Sequence, residues 1–313
     1  METRCFKCLK PLMNDTNSIH GVHRQCFKKW FGLSTFGDFT ELNRESAGTG
    51  PSSNFKRRRV SQRTDDSFFH GKFRKYSASL SKFKYILKVR DEAAPELPPV
   101  EYVCNQIARS LEIPVPDHYF LRFHNEPAFV TRNFMSQQRG NADLKHILHY
   151  INFEKQVLDC ETLVQVIADT TKRFTDVETF VKVCIFDALV GNHDRHARNL
   201  GFVVTARNTK LAPISDNTSY LGNEKGEFLK ASFNPSGNIF TKHSITPKIR
   251  DYVQEFYRLE LNHEVRRFVK NIYIKDIKHK IQTSFCSKLM KEAFEKLVDR
   301  RYQELKDELR KRS

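Results

Sequence analysis

The chain has 313 residues, enough to bury a substantial core in one or two domains. With 39% hydrophobic and 29% charged residues, and no apolar run near the roughly 20 residues a membrane helix needs, it reads as globular and excludes a transmembrane segment. Seven cysteines, an odd number, argue against a disulfide framework, and a net charge of +16 calls for a polyanion: nucleotide phosphate, nucleic acid, an acidic protein or an anionic surface.

Part of that charge lies in short basic runs, Lys56 to Arg59 and Arg310 to Arg312, which read as solvated tails, so charge alone does not choose a function. The first thirty residues are polar and basic, without the apolar stretch of a signal peptide. A cytoplasmic location is expected, and export without a cleaved signal is compatible with the same sequence.

Residues 1–33 form a compact cysteine and histidine segment. Cys5-x2-Cys8 and His23-x2-Cys26 are two ligand pairs separated by fourteen residues, a spacing that suits tetrahedral zinc with a Cys3His set. Four protein ligands leave no open position, so such an ion would be structural. The competing reading is a small packed segment with free thiols. The other cysteines, Cys104, Cys160, Cys184 and Cys286, stand in apolar contexts and read as buried small hydrophobes.

Residues 34–66, rich in Ser, Gly and Arg, read as a basic linker or surface loop. From 67 to 135 the texture becomes β-rich. FRKYSASL and KYILKV suggest a hairpin, and HYFLRF, the turn HNEP and AFVTRNF a second one. Between them, Val100, Val103, Cys104, Ile107 and Leu111 recur at three- and four-residue intervals and predict an amphipathic helix.

Residues 136–313 read as mainly helical. The stretch 177–190 is a strongly apolar helix expected to be buried. GNHDRHARNLGFVVT and LAPISDNTSYL, with short β character, interrupt the helical series, which resumes after Tyr252. The last helix, with Phe294, Leu297, Tyr302 and Leu305, is expected to pack on the core.

Phosphoryl transfer asks a protein for a carboxylate near the attacking hydroxyl, oxygen ligands for magnesium, and a lysine on the phosphates. Asp194 and Asn199, five apart after the apolar helix, have the spacing of a kinase catalytic loop. Asp216, seventeen residues past Asn199, ends a short hydrophobic strand, where a metal-binding carboxylate is expected. The alternative is a polar connection held by its own hydrogen bonds. Lys88 closes an apolar strand, as a phosphate-pairing lysine does. Ahead of it, Gly71 to Lys75 offers one glycine and a lysine, a weak phosphate loop.

PPVEYVCNQIARSLEIPVP, AFVTRNF, GNHDRHARNLGF and LAPISDNTSY resemble, in chain order, the motifs of the HipA-like serine/threonine kinases. CFKCLKPL and HRQCFKKWFG resemble the N-terminal segment of that family's shorter members, which lack the large N-terminal subdomain. The resemblance implies an α+β, bilobal, protein-kinase-like fold with a small β-rich lobe and a helical lobe. It implies ATP and Mg2+ as ligands and protein Ser/Thr as acceptor, with autophosphorylation.

By position, the resemblance makes Asp194 the base, Asn199 and Asp216 the magnesium ligands, and His196 a neighbour of the phosphates. Lys88 would bind phosphate, Glu101 would orient Lys88, and Phe129 to Thr131 would form the adenine hinge, largely through backbone groups. The family's S-x-x-G-x-Q-x-K loop is degraded here: Gly71 and Lys75 survive, the serine moves to Ser67 and the glutamine is lost. Ser67, Ser77 and Ser79 are the candidate autophosphorylation sites. Two other readings stand beside this one: a basic nucleic-acid-binding protein with a Cys/His module, and an inactive kinase-like protein.

Overall fold

The computed structural model describes residues 4–12, 18–45, 75–138, 141–151, 158–196, 199–224, 226, 229 and 235–312. The chain divides into two compact units, Met1–Glu92 with Asp117–Gln138, and Ala93–Pro116 with Arg139–Ser313.

The first unit contains β1 (Ser18–Ile19), β2 (Val22–His23), α1 (Arg24–Phe31), β3 (Thr40–Glu45), β4 (Lys75–Leu80), β5 (Phe83–Val89), β6 (His118–Phe123) and β7 (Glu126–Arg132). The last five form one antiparallel sheet in the order β3-β4-β5-β7-β6. Side chains alternate across a strand, so Ala78, Leu80, Tyr85, Leu87, Val89, Tyr119, Leu121, Ala128 and Val130 share one apolar face. That face is covered by Cys5, Val22, Phe27 and Phe31 of the N-terminal segment, with Phe31 stacked on Tyr119 at a centroid distance of 4.2 Å. The segment read from sequence as a separate body therefore shares its core with the sheet.

Both predicted hairpins are present. The second closes at His124–Asn125, whose φ angles of 48° and 64° make a two-residue turn with the twist an antiparallel pair requires. Glu126 and Pro127, assigned to the turn by sequence, already belong to β7. The expected linker 34–66 also contains a strand, since Thr40–Glu45 pairs with β4 along the sheet edge. TELNRE lacks apolar alternation because an edge strand with solvent on its faces has little to bury.

The second unit contains α2 (Leu97–Ser110), β8 (Ala142–His146), α3 (Cys160–Thr171), α4 (Phe174–Val190), β9 (Gly201–Thr205) and β10 (Thr209–Leu211). It continues with α5 (Ile249–Arg258), α6 (Asn262–Lys270), α7 (Ile274–Thr283) and α8 (Lys288–Arg310). The strands form a small antiparallel sheet, β10-β9-β8. The helix α4 is the apolar helix foreseen in the sequence, and its Phe180, Val183, Ile185, Phe186 and Leu189 are fully buried.

The sequence reading places α2 among the strands of the first lobe. Its periodic residues Val100, Val103, Cys104, Ile107 and Leu111 instead join the core built around α4, so packing assigns the helix to the second unit. Pro98 and Pro99 occupy its first turn, where the missing N–H costs nothing. Cys104, Cys160, Cys184 and Cys286 are buried free thiols, as expected. A strand-rich unit and a mainly helical unit together make the mixed α+β fold implied by the sequence. Among the described residues no helix is long and apolar enough to cross a membrane.

Candidate active site

The site is organised by a charge buried in α4. Asp187 faces inward in the apolar second half of the helix and is 5% exposed. A buried carboxylate is costly unless paired and hydrogen-bonded. The helix ends at Gly191 in the left-handed conformation (φ 75°). A Cβ there would lie 2.9 Å from Leu297 Cδ2 and 3.0 Å from Tyr220 Cδ1, so only glycine fits.

The chain then turns so that Arg195, 2% exposed, grips Asp187 with two bonds: Nε to Oδ2 at 2.8 Å and Nη2 to Oδ1 at 2.9 Å. Asn192 Nδ2 donates to the same carboxylate at 2.9 Å. Burial works against the charged guanidinium. The charge of Asp187 and its hydrogen bonds outweigh that, and hold the pKa of Arg195 above the ordinary arginine value.

The other edge of the same guanidinium fixes the Asp216 segment. Arg195 Nη1 donates to the Ser215 carbonyl at 2.6 Å, and Nη2 to Asn217 Oδ1 at 2.7 Å. These contacts fall on either side of Asp216, which sits at φ 52°, a region L residues seldom occupy. Asn217 is fully buried and donates in turn to Asn105 Oδ1 at 3.0 Å and the Ile214 carbonyl at 2.9 Å. The backbone around Asp216 is thus held from both sides.

Asn199 completes the cluster. Its Nδ2 donates to Asp216 Oδ2 at 2.9 Å, while its Oδ1 accepts from the His196 backbone N–H at 3.2 Å. Asp194 differs from the rest. Its backbone N–H is held by Asn192 Oδ1 at 3.2 Å, but its exposed carboxylate has no hydrogen-bond partner among the described residues. A polar connection serving only itself would use that carboxylate; here it is left facing water.

Four sequence-predicted residues, Asp194, His196, Asn199 and Asp216, are therefore brought into one loop cluster of the second unit. Glu101 lies in α2 of the same unit and is buried. The remaining described ones belong to the first unit. Lys75 and Lys88 are direct cross-strand partners, Lys88 also pairs with Phe129, and Thr131 pairs with Ile86, so these side chains share the sheet face opposite the apolar core. Phe129 and Thr131 have partner strands on both sides, so their main-chain groups are committed to the sheet. Ser77 and Ser79 lie in β4, with the Ser79 hydroxyl donating to Glu41 at 2.6 Å. Gly71 and Ser67 lie outside the described residues.

Sequence reasoning passed over Asp187, Asn192, Arg195, Asn105 and Asn217. One signal was available: an aspartate inside the apolar run VCIFDALV needs a cation, and Arg195 is the nearest arginine after it.

The N-terminal ligand set is also assembled. Cys5, Cys8, His23 and Cys26 each offer one ligand atom, all within 4.8 Å of one another. Burial pushes the Cys5 thiol up, but backbone N–H groups of Cys8, His23 and Lys7 point at its sulfur and leave its pKa lowered to about 7. Burial and the neighbouring sulfurs push Cys26 up to about 12.

A loop with an exposed aspartate beside an Asn–Asp pair, carried by an α+β chain with a separate five-stranded sheet, defines a kinase-like protein. Residues 63–303 match the HipA-like C-terminal domain, and the chain belongs to that family. It is similar to the crystal structure of the proinflammatory kinase CtkA of Helicobacter pylori, with a TM-score of 0.64 and 20% identity, covering 77% of this chain and 92% of that one. It is also similar to HipA of Shewanella oneidensis MR-1, solved with HipB and operator DNA, with a TM-score of 0.53 and 12% identity over 71% of this chain and 60% of that one. At such identities the likeness is one of fold. No curated protein sequence matches the chain.

Proposed function

We propose that this HipA-like protein is an ATP-dependent protein kinase that transfers the γ-phosphate to Ser or Thr hydroxyls, its own included. The observation that carries the reading is the exposed Asp194 carboxylate, held on a loop whose Arg195 also anchors both neighbours of Asp216. In such a reaction the hydroxyl oxygen forms a bond to the γ-phosphorus as the bridging P–O bond breaks, and the hydroxyl proton passes to Asp194.

Asn199 and Asp216 are drawn together by the 2.9 Å bond from Asn199 Nδ2, and the Asn199 Oδ1 and the Asp216 carboxylate are hard oxygen donors of the kind that fits Mg2+. Bound there, the ion would neutralise phosphate charge as it shifts during transfer. The φ of Asp216 and its two anchored neighbours keep that carboxylate from swinging away. His196, whose backbone is tied to Asn199, is assigned to the phosphates. On the sheet, Lys75 and Lys88 stand directly opposite each other, so two cationic side chains share one face. That supports phosphate binding by both, and leaves Phe129 and Thr131 to contribute side chains to nucleotide recognition.

Incubation with γ-labelled ATP and Mg2+ tests the proposal. The wild type is expected to label itself or a generic protein acceptor, and Asp194→Ala and Asp216→Ala to lose about 10²-fold or more of that rate. Mapping of labelled residues would decide among Ser67, Ser77 and Ser79. A wild type that binds ATP but transfers nothing would overturn the proposal.

A further inference from the structure

The chemistry above leaves unused four soft ligands gathered in the first unit. Cys5 and Cys8 lie on a tight turn closed by Leu9 N–H to the Cys5 carbonyl at 2.9 Å and by Cys5 N–H to the Lys10 carbonyl at 2.9 Å. His23 ends the β1–β2 hairpin, whose turn His20–Gly21 has φ angles of 50° and 78°, and Cys26 lies in the first turn of α1. A Cβ at Gly21 would come within 2.6 Å of the Phe6 ring, so the hairpin and the cysteine turn can close on each other only through glycine. Phe6 N–H to the Gly21 carbonyl at 3.1 Å joins the two pieces.

The distances suit one ion. Zinc bonds of about 2.3 Å to sulfur and about 2.0 Å to nitrogen set tetrahedral S···N edges of roughly 3.5 Å. His23 Nδ1 lies 3.4 Å from Cys8 Sγ and 3.9 Å from Cys26 Sγ. The tautomer is also settled by a partner. His23 Nε2 is 3.1 Å from the Pro11 carbonyl, which only accepts, so Nε2 carries the proton and Nδ1 presents its lone pair to the sulfurs. Lys7 Nζ, bonded to the Cys26 carbonyl at 3.3 Å, places a positive charge beside the three sulfurs.

We propose that Cys5, Cys8, His23 and Cys26 bind one zinc ion as a closed structural site that fastens the N-terminal segment to the five-stranded sheet. Four protein ligands leave no open coordination position, so the ion would take no part in catalysis. Its role follows from how little else organises this segment. The strands β1 and β2 have two residues each and α1 has eight, all too short to persist alone. Yet Phe27 and Phe31 of α1 cover the sheet's apolar face. A metal that ties both ends of the segment would hold those rings in place.

The test is elemental analysis of the untagged full-length protein, with no kinase readout. About one zinc per chain is expected, falling several-fold in Cys8→Ser/His23→Ala and unchanged in Cys286→Ala, whose thiol lies in the other unit. To separate ligand loss from a folding defect in the double variant, Co2+ is also added to chelator-stripped wild type, where tetrahedral d–d and sulfur-to-cobalt charge-transfer bands are expected. Zinc-free wild type without those bands, iron in place of zinc, or zinc retained by the double variant would each overturn the proposal.

Discussion

Arg195 shows how one side chain sets the geometry of several others. Its guanidinium joins α4, the Asp194 loop and the Asp216 segment through four hydrogen bonds, all to buried or half-buried acceptors. Removing it strands Asp187 as an unpaired buried charge. Arg195→Met is expected to cost about 3–5 kcal/mol in urea unfolding, and Asp187→Leu combined with Arg195→Met clearly less than that single change. Additive losses in this double-mutant cycle would contradict the pairing. Asp194, Asn199 and Asp216 could be singled out in the sequence because the proposed chemistry imposes a spacing, and the structure gathers them in one loop cluster. Arg195 and Asp187 were not, because a buried ion pair obeys no fixed interval: it records which elements meet in space.

Among the elements, α4 with its exit turn is the one on which the site depends most. Gly191 is needed for its positive φ and for the close approach of Leu297 and Tyr220. Gly191→Ala is expected to destabilise the protein by about 1–3 kcal/mol and lower its melting temperature; an unchanged transition would show that the turn relaxes freely. The helices α2 and α4 were read correctly, α2 because burial of one face leaves its mark every three to four residues and α4 because its buried second half is a nearly continuous apolar run. The strands β3 and β8 were passed over. TELNRE is an exposed edge strand, and ADLKH is only half-buried, so neither carries a continuous apolar face. The membership of α2 in the helical unit was equally hidden, because an apolar stripe does not state which core it joins.

At the scale of the whole molecule, the ordered motifs from residue 100 to 220 were enough to imply a HipA-like α+β kinase fold, and the family match over 63–303 agrees. The sharing of one core by the N-terminal segment and the sheet could not be read, because it depends on long-range aromatic packing such as Phe31 on Tyr119. In the proposed function, the fold acts as an enzyme through the exposed carboxylate of Asp194 beside the anchored Asn199–Asp216 pair. The direct measurement is single-turnover transfer from γ-labelled ATP by Asp194→Asn, set against the same variant's affinity for ATP with Mg2+. Catalysis by Asp194 predicts a rate lowered by about 10²-fold or more at nearly unchanged affinity. A rate equal to that of the wild type, or a loss accounted for wholly by weaker nucleotide binding, would contradict it.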